Sequence, residues 1–523
     1  MVRDGDLFGD GVNVAARLEG LAEAGGVCIS GSVFEQIKHK LSLGFEDMGQ
    51  QEVKNIAEPV SAYRLVPDQV SVAATAAAKS SRVRHWWIPA MATAVVLVIA
   101  AGGLAIWRPW APDVEPASIE RMAFPLPDKP SIAVLPFENL SGDPKQDFFV
   151  DGFTENIITA LARVPKLFVI ARNSTFTYKS KPVEVQVVAE ELGVKYVLEG
   201  SVQRSGETIR ITAQLIDALT GVHVWAERYD RDMQDLFALQ DDITLNILKA
   251  LQVALTEGDI GAVRPTNDSR SLDAYLLYWQ AVEHYRRFNR EDNVRARQLA
   301  MRANELDPQF AQAAALVGWS HQMDGRFGWS DSRAKSYGRG AEIAGRALQL
   351  DPEHPSVQAL LSNVYLSQRK FEDAIAAGRK SIALAPSASV FHANTAVATY
   401  YAGNFEETVT LTKEAMRLHP YYPAWYDYRI GVAYRMLGQY DEAVAALTAN
   451  KGRLAKPNML ALTALAATYS MMGRLADGRA GVKETLKLHP NASVQAVAKM
   501  HYFKDAAHLE RILDALRKVG LPE

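Results

Sequence analysis

Hydrophobic and polar positions along the 523 residues fall into three regimes. The first is a run without a single charge, Trp86–Trp107, reading WWIPAMATAVVLVIAAGGLAIW. As a helix rising ~1.5 Å per residue it would be about 33 Å long, enough to cross a bilayer core of roughly 30 Å. Tryptophans flank it on both sides, as interfacial rings do, and Pro89 sits in the first turn, where a missing N–H costs little. The second regime, residues 131–256, mixes short apolar runs with amphipathic stretches in the order βαβαβββα. SIAVLPF and KLFVIAR read as buried strands, FFVDGFTENIITALARV and VQVVAEELG as helices, and TIRITAQLID and VHVWAERYD as alternating hairpin strands, with a closing helix, LFALQDDITLNILKALQVAL. The third regime, residues 271–523, is helical throughout, with apolar positions recurring at three- and four-residue spacing.

That last stretch repeats. Pro308, Pro352, Pro386, Pro420, Pro457 and Pro490 follow one another at steps of 44, 34, 34, 37 and 33 residues, most of them after Leu-Asp, Leu-Ala or Leu-His. The strings FEDAIAAGRKSIALAP, FEETVTLTKEAMRLHP and YDEAVAALTAN carry an aromatic residue, an acid and a small residue at matching offsets. Thirty-four residues is the tetratricopeptide period, two antiparallel helices closed by a proline, so an all-α solenoid of five or six repeats is expected at 271–523. Tyr400-Tyr401, Tyr421-Tyr422 and Trp425-Tyr426 gather near repeat junctions, where they serve either interlayer packing or a peptide-binding face. His354, His419 and His489 stand beside prolines at helix ends, where capping accounts for them.

Charge sharpens the picture only in places. Lys79, Arg82 and Arg84 precede the apolar run, whereas Asp113, Glu115 and Glu120 follow Arg108. That asymmetry predicts a single-pass protein of the inner or plasma membrane, with residues 1–85 cytoplasmic and 111–523 extracytoplasmic. A net charge of −3 with no basic, aromatic-laced cluster argues against nucleic-acid binding. Cys28 is the single cysteine, so the rest must hold together without disulfides. Linkers are expected at 67–85, rich in Ala, Ser and Val, and at 108–130, stiffened by Pro109, Pro112, Pro116, Pro125, Pro127 and Pro130. Asp147, Asp151 and Glu155 line one helix face at spacings of four, but no histidine accompanies them, which favours a solvated helix front over a metal site.

Residues 1–66 hold the candidate chemistry. Asn13 and Arg17, at i and i+4, project from one helical face, a fork of donors for phosphate oxygens beside an amide suited to a hydroxyl. Alone, such a pair is usually a wet helix face. The whole block DLFGDGVNVAARLE, continued by GGVCISGSVFEQI and FEDMG…VKNIAEPVSAYRL, resembles the C-terminal part of the catalytic domain of class III nucleotidyl cyclases. The resemblance implies that Asp6 reads the adenine amino group, Asn13 orients the ribose, Arg17 stabilises charge on the phosphates during attack of the 3′-hydroxyl, and Lys54 touches the terminal phosphates. It also implies ATP as substrate, Mg2+ or Mn2+ as cofactor and a homodimer through the cyclase domain. The family's two metal-holding aspartates lie N-terminal to this motif, and only five residues precede Asp6. A cyclase domain shortened at its N-terminus and inactive alone is the expectation, with a non-enzymatic, membrane-tethered protein-binding scaffold as the alternative.

Residues 131–256 look like the TolB-like amino-terminal domain, which implies a binding or signal-input module. The expected organisation is multidomain: an α+β cyclase fragment (1–66), a linker (67–85), a transmembrane helix (86–107), a Pro-rich linker (108–130), an α/β TolB-like domain (131–256) and the tetratricopeptide solenoid (271–523).

Overall fold

The computed structural model describes residues 2–3, 6–7, 28–31, 33–34, 44–51, 60–66, 116–253, 269, 271–455 and 457–523. The chain divides into two compact units, Met1–Ala111 and Pro112–Glu523.

In the first unit, β1 (Val2–Arg3) pairs with β2 (Asp6–Leu7), and a three-stranded antiparallel sheet runs in the order β3 (Cys28–Ser30), β5 (Val60–Val66), β4 (Gly44–Gln51). Ala62 on the central strand is fully buried, and the rings of Phe34 and Tyr63 stack at 4.0 Å. The strands expected over GFEDMG and VSAYRLV are therefore present and paired. Cys28 is half-buried, its thiol 3.8 Å from the Met48 sulfur.

In the second unit, the α/β domain is built on β6 (Ser131–Val134), β7 (Glu138–Asn139), β8 (Phe168–Val169), β9 (Tyr196–Ser205), β10 (Thr208–Asp217) and β11 (Val222–Asp232), with path β11-β10-β9-β6-β8 and β7 pairing β9. The pairs β6–β8 and β6–β9 are parallel, while β9, β10 and β11 form an antiparallel meander. The helices are α1 (Asp147–Ala162), the single turn α2 (Arg172–Thr175), α3 (Val185–Leu192) and α4 (Leu236–Ala250). Alternation sets the layers. On β6, Ile132 and Val134 join the core under α1 and α4, while Ala133, and Leu135 just beyond the strand, join the core under α3. A central parallel strand buried on both faces has to be a continuous apolar run, and SIAV is one. On β10, Ile209, Ile211 and Ala213 are buried whereas Arg210 and Thr212 are exposed, so the meander covers one face only.

The solenoid follows as helix pairs: α5 (Leu272–Arg286) with α6 (Arg290–Leu306), α7 (Ala311–Phe327) with α8 (Arg333–Leu350), α9 (Pro355–Ser367) with α10 (Phe371–Leu384), α11 (Ser389–Ala402) with α12 (Phe405–Leu418), α13 (Trp425–Leu437) with α14 (Tyr440–Arg453), and α15 (Met459–Met471) with α16 (Leu475–Leu488). The short α17 (Val494–Ala498) and α18 (Ala506–Lys518) close it, with α18 packing back on α15. This is a C-terminal, all-helical, tetratricopeptide-like solenoid.

Membrane placement is where the structure corrects the sequence. Among the described residues no helix is long and apolar enough to cross a membrane. The longest, α8, carries Arg333, Lys335, Arg339, Glu342 and Arg346 along its 18 residues and buries one face on its neighbours. The single-pass localisation with extracytoplasmic domains, expected from the apolar run and its flanking charges, is overturned on this ground. The run itself, Trp86–Trp107, lies outside the described residues.

The α/β domain and the solenoid are not beads on a string. Trp279 of α5 lies across α1 at Gly152, where an added Cβ would stand 2.6 Å from the indole Cγ. Beside it, the buried Tyr275 hydroxyl accepts from Asn156 Nδ2 (2.8 Å) on α1 and Gln240 Nε2 (3.1 Å) on α4. Gly152→Val should therefore destabilise the chain by about 1–3 kcal/mol through overpacking. Gly338→Ala on α8, where an added Cβ meets nothing within 4 Å, should be neutral or stabilising by up to about 1 kcal/mol. Denaturant midpoints of the two variants against the parent check both signs.

Candidate functional site

Of the residues carrying the cyclase resemblance, Asp6 lies on β2, while Asn13, Arg17 and Lys54 lie outside the described residues. Among the described residues no group of three or more His, Cys, Asp or Glu side chains is placed to hold a metal ion such as Mg2+ or Mn2+.

The acidic face of α1 is neither a metal site nor a solvated front. Asp147 Oδ1 accepts from Asn139 Nδ2 at 2.7 Å. Asp151 pairs with Lys179 (2.6 Å) and Arg172 (3.6 Å), and Glu155 pairs with Arg172 (3.1 Å) and with Arg286 of α5. Burial, and then the neighbouring Arg286 charge, push the Arg172 guanidinium down to about 10. Of these pairs, Glu155–Arg286 crosses to α5, while Asp147 and Asp151 are held within the α/β domain.

The second contact between those parts is the most organised polar feature described. Helix ends leave carbonyls and N–H groups without intrahelical partners. Here the two parts satisfy one another's. The Leu418 carbonyl, last of α12, accepts from Ala171 N–H (2.8 Å), the residue capping α2. The Ala162 carbonyl, last of α1, accepts from Ser387 N–H (3.2 Å) in the turn after α10, and the Ser387 hydroxyl donates to the Leu167 carbonyl (2.9 Å). Arg417, in the last turn of α12, donates from Nη1 to the Leu192 carbonyl (3.2 Å) and from Nη2 to the carbonyls of Gly193 (2.8 Å) and Pro125 (3.0 Å). Leu192 ends α3, so the cation sits at the negative end of that helix. Its guanidinium also lies 4.5 Å from the Phe168 ring centroid and 5.2 Å from that of Phe124, and burial lowers it to about 10. Gly193, at φ +63°, provides the left-handed cap that turns its carbonyl outward, and an added Cβ there would meet the Phe124 carbonyl at 2.7 Å.

The sequence-derived aromatic candidates divide accordingly. Tyr400, Tyr401 and Tyr426 are buried packing residues. Tyr421, 42 % exposed, donates its backbone N–H to Ser174 Oγ (3.1 Å) and its hydroxyl to Glu191 (2.8 Å), and its ring meets Tyr178 at 6.2 Å. Tyr422 stacks on Tyr426 and lies 4.7 Å from the Arg453 guanidinium. Trp425, 38 % exposed, stands edge-on to Tyr426. The histidines are structural: His354 Nδ1 accepts from Ser356 N–H as the N-cap of α9, His419 closes α12, and His489 closes α16 with Nε2 at 3.0 Å from the Pro457 carbonyl. Burial pushes His354 to about 3 and His419 to about 4, assisted by the charges of Arg163 and Arg453 respectively.

A family model described as the HilA/YgeH-like transcriptional regulator, second domain, matches residues 128–246, which is most of the α/β domain. The chain is 40% identical over 375 residues to "Putative adenylate cyclase 3" of Rhizobium meliloti (strain 1021); the alignment covers 72% of this chain, and the chain spans 57% of that relative's length. Among solved structures it is similar to PilW, a widely conserved type IV pilus biogenesis factor (15% identity, TM-score 0.36, 44% of this chain and 99% of that one). It is also similar to a thermophilic TPR protein of Thermus thermophilus (23% identity, TM-score 0.29, 38% of this chain and 99% of that one).

Two outcomes are expected at this contact. Arg417→Ala strips three carbonyls and two rings of their cation and should cost about 2–4 kcal/mol in denaturant unfolding, with Arg417→Lys recovering only part. The buried histidines set a pH dependence. Folded His354 and His419 stay neutral down to about 3 and about 4, while unfolded imidazoles titrate near 6.5, so the unfolded chain takes up protons first. Stability should be complete above about pH 7 and fall as pH drops from about 6.5 towards 4, by up to about 1.4 kcal/mol per unit per histidine. His354→Gln should flatten that slope in melting curves taken across about pH 7 to 4.5.

Proposed function

We propose that this chain is a signalling protein of the adenylate-cyclase type, in which residues 1–66 derive from a class III cyclase domain and Pro112–Glu523 forms the regulatory, partner-binding part. The 40% identity to a protein named as a putative adenylate cyclase carries the reading. The block from Asp6 to Glu19 supports it: Asp6 reads adenine, Asn13 orients the ribose, Arg17 stabilises the charge that builds on the phosphates, and Lys54 steadies the terminal phosphates. The reaction is conversion of ATP to cyclic AMP and pyrophosphate, and it needs two divalent cations held on a pair of aspartates. The match of residues 128–246 to a domain of a transcriptional regulator fits a role in control rather than chemistry for the α/β domain.

A second reading, a non-enzymatic scaffold that binds proteins through its repeats, is favoured by the extent of the solenoid, which makes up most of the described residues. Cyclic AMP assays separate the two. The purified chain with ATP and Mg2+ or Mn2+ should give none. Mixing it with a cyclase half-domain that carries the two aspartates should restore production, and Arg17→Ala should then lower the rate by about 100-fold or more. No production from any such mixture would leave the scaffold reading standing.

A further inference from the structure

Several partly buried arginines in this fold have evident partners. Arg297 pairs with Asp324 at 2.6 Å, Arg172 with Glu155 and Asp151, and Arg417 with three carbonyls. Two arginines of α13 break the pattern. Arg435 is 1 % and Arg429 4 % exposed. Arg435 donates from Nη1 to the Ala464 carbonyl (3.3 Å) and from Nη2 to the Tyr400 hydroxyl (3.5 Å), and its Nε has no partner. Arg429 lies 4.7 Å from the Tyr400 ring centroid and 5.6 and 5.9 Å from those of Tyr401 and Tyr428, and its Nε and Nη1 have no partner. Among the described residues neither guanidinium forms an ion pair with a carboxylate. Cation–π contact offsets part of the desolvation, but two uncompensated buried charges sharing one tyrosine remain costly.

A cavity opens beside them. It is lined by Arg435, Tyr428, Thr463 and His501, with Leu460 and Leu516 among its apolar walls, and its free space is about 10 Å3, room for one water-sized particle. His501 is buried and its Nδ1 has no partner. Burial and the charges of Arg435 and Arg429 push this imidazole down to about 3, so its surroundings are positive and it stays neutral, able to offer an N–H. The space is far too small for a carboxylate-bearing peptide or a nucleotide.

We propose that this cavity binds one monatomic anion of the chloride class, with Arg435 and His501 as its lining donors and Arg429 supplying the second positive charge. The walls come from α13, α15, the segment after α17 and α18, so the ion ties the C-terminal cap to the repeats it covers. Occupancy then couples the closing helix to the anion content of the medium, independently of any nucleotide chemistry in residues 1–66.

The test uses the full chain at constant ionic strength, exchanging gluconate for chloride. Melting temperature should rise saturably by roughly 2–4 °C between a few millimolar and about 0.3 M chloride. Arg435→Gln should lose that rise, and chloride NMR lines should broaden on the parent protein beyond the level seen with the variant. Should Arg435→Gln fail to fold, crystals of the parent soaked in bromide decide: an anomalous peak between Arg435 and His501 supports the site. Identical melting in chloride and gluconate, or a water only at that position with bromide elsewhere, overturns it.

Discussion

One guanidinium holds the second unit's two halves in register. Arg417 leaves the last turn of a solenoid helix and ends on the carbonyls of Leu192, Gly193 and Pro125, at the closing turn of a helix in the α/β domain. A buried cation is tolerable only where something negative or polarisable surrounds it. Three carbonyls at a helix C-terminus and two aromatic rings meet that requirement without a carboxylate. The contacts around it follow the same rule, each giving a helix terminus on one side the backbone partner it lacks from the other.

The consequence is that the turns after successive second helices of the repeats, which the sequence marks by Leu-Ala-Pro and Leu-His-Pro, are interface as well as punctuation. The Ser387 and Leu418 turns dock on the ends of α1 and α2, while the first solenoid helix shares a core with α1 and α4 through Tyr275 and Trp279. Residues that could have been displayed to a partner, Tyr421 above all, are thereby engaged within the chain.

Much of this architecture was legible beforehand. The continuous apolar run SIAV, the alternation in TIRITAQLID, the closing Gly193 and the proline spacing fix strands, a helix end and helix pairs by local rules that residues a few positions apart can express. The docking was not. Arg417 reads as an ordinary basic residue in a last helical turn, and its partners are backbone atoms more than two hundred positions away, which no side-chain pattern announces. Asp151 and Glu155 read as a wet helix front because their basic partners, Arg172, Lys179 and Arg286, come from other elements, and no spacing along α1 announces them. The Arg429–Arg435 pair was hidden by the opposite effect, two charges inside a helix whose other positions pack like any repeat. The placement of the apolar run as a membrane span rested on hydropathy, flanking tryptophans and charge asymmetry, all local features of the sequence, and no described helix is long and apolar enough to cross a membrane.

Hydrogen exchange on the full chain tests most directly whether the α/β domain and the solenoid form one unit. The amides of Ala171 and Ser387 sit in connecting segments, yet each is bonded across the boundary, to Leu418 and Ala162. The account predicts that both exchange as slowly as the amides of neighbouring helix interiors and are released together with them. Exchange at the rate of exposed loops, with the helices on either side still protected, would contradict it.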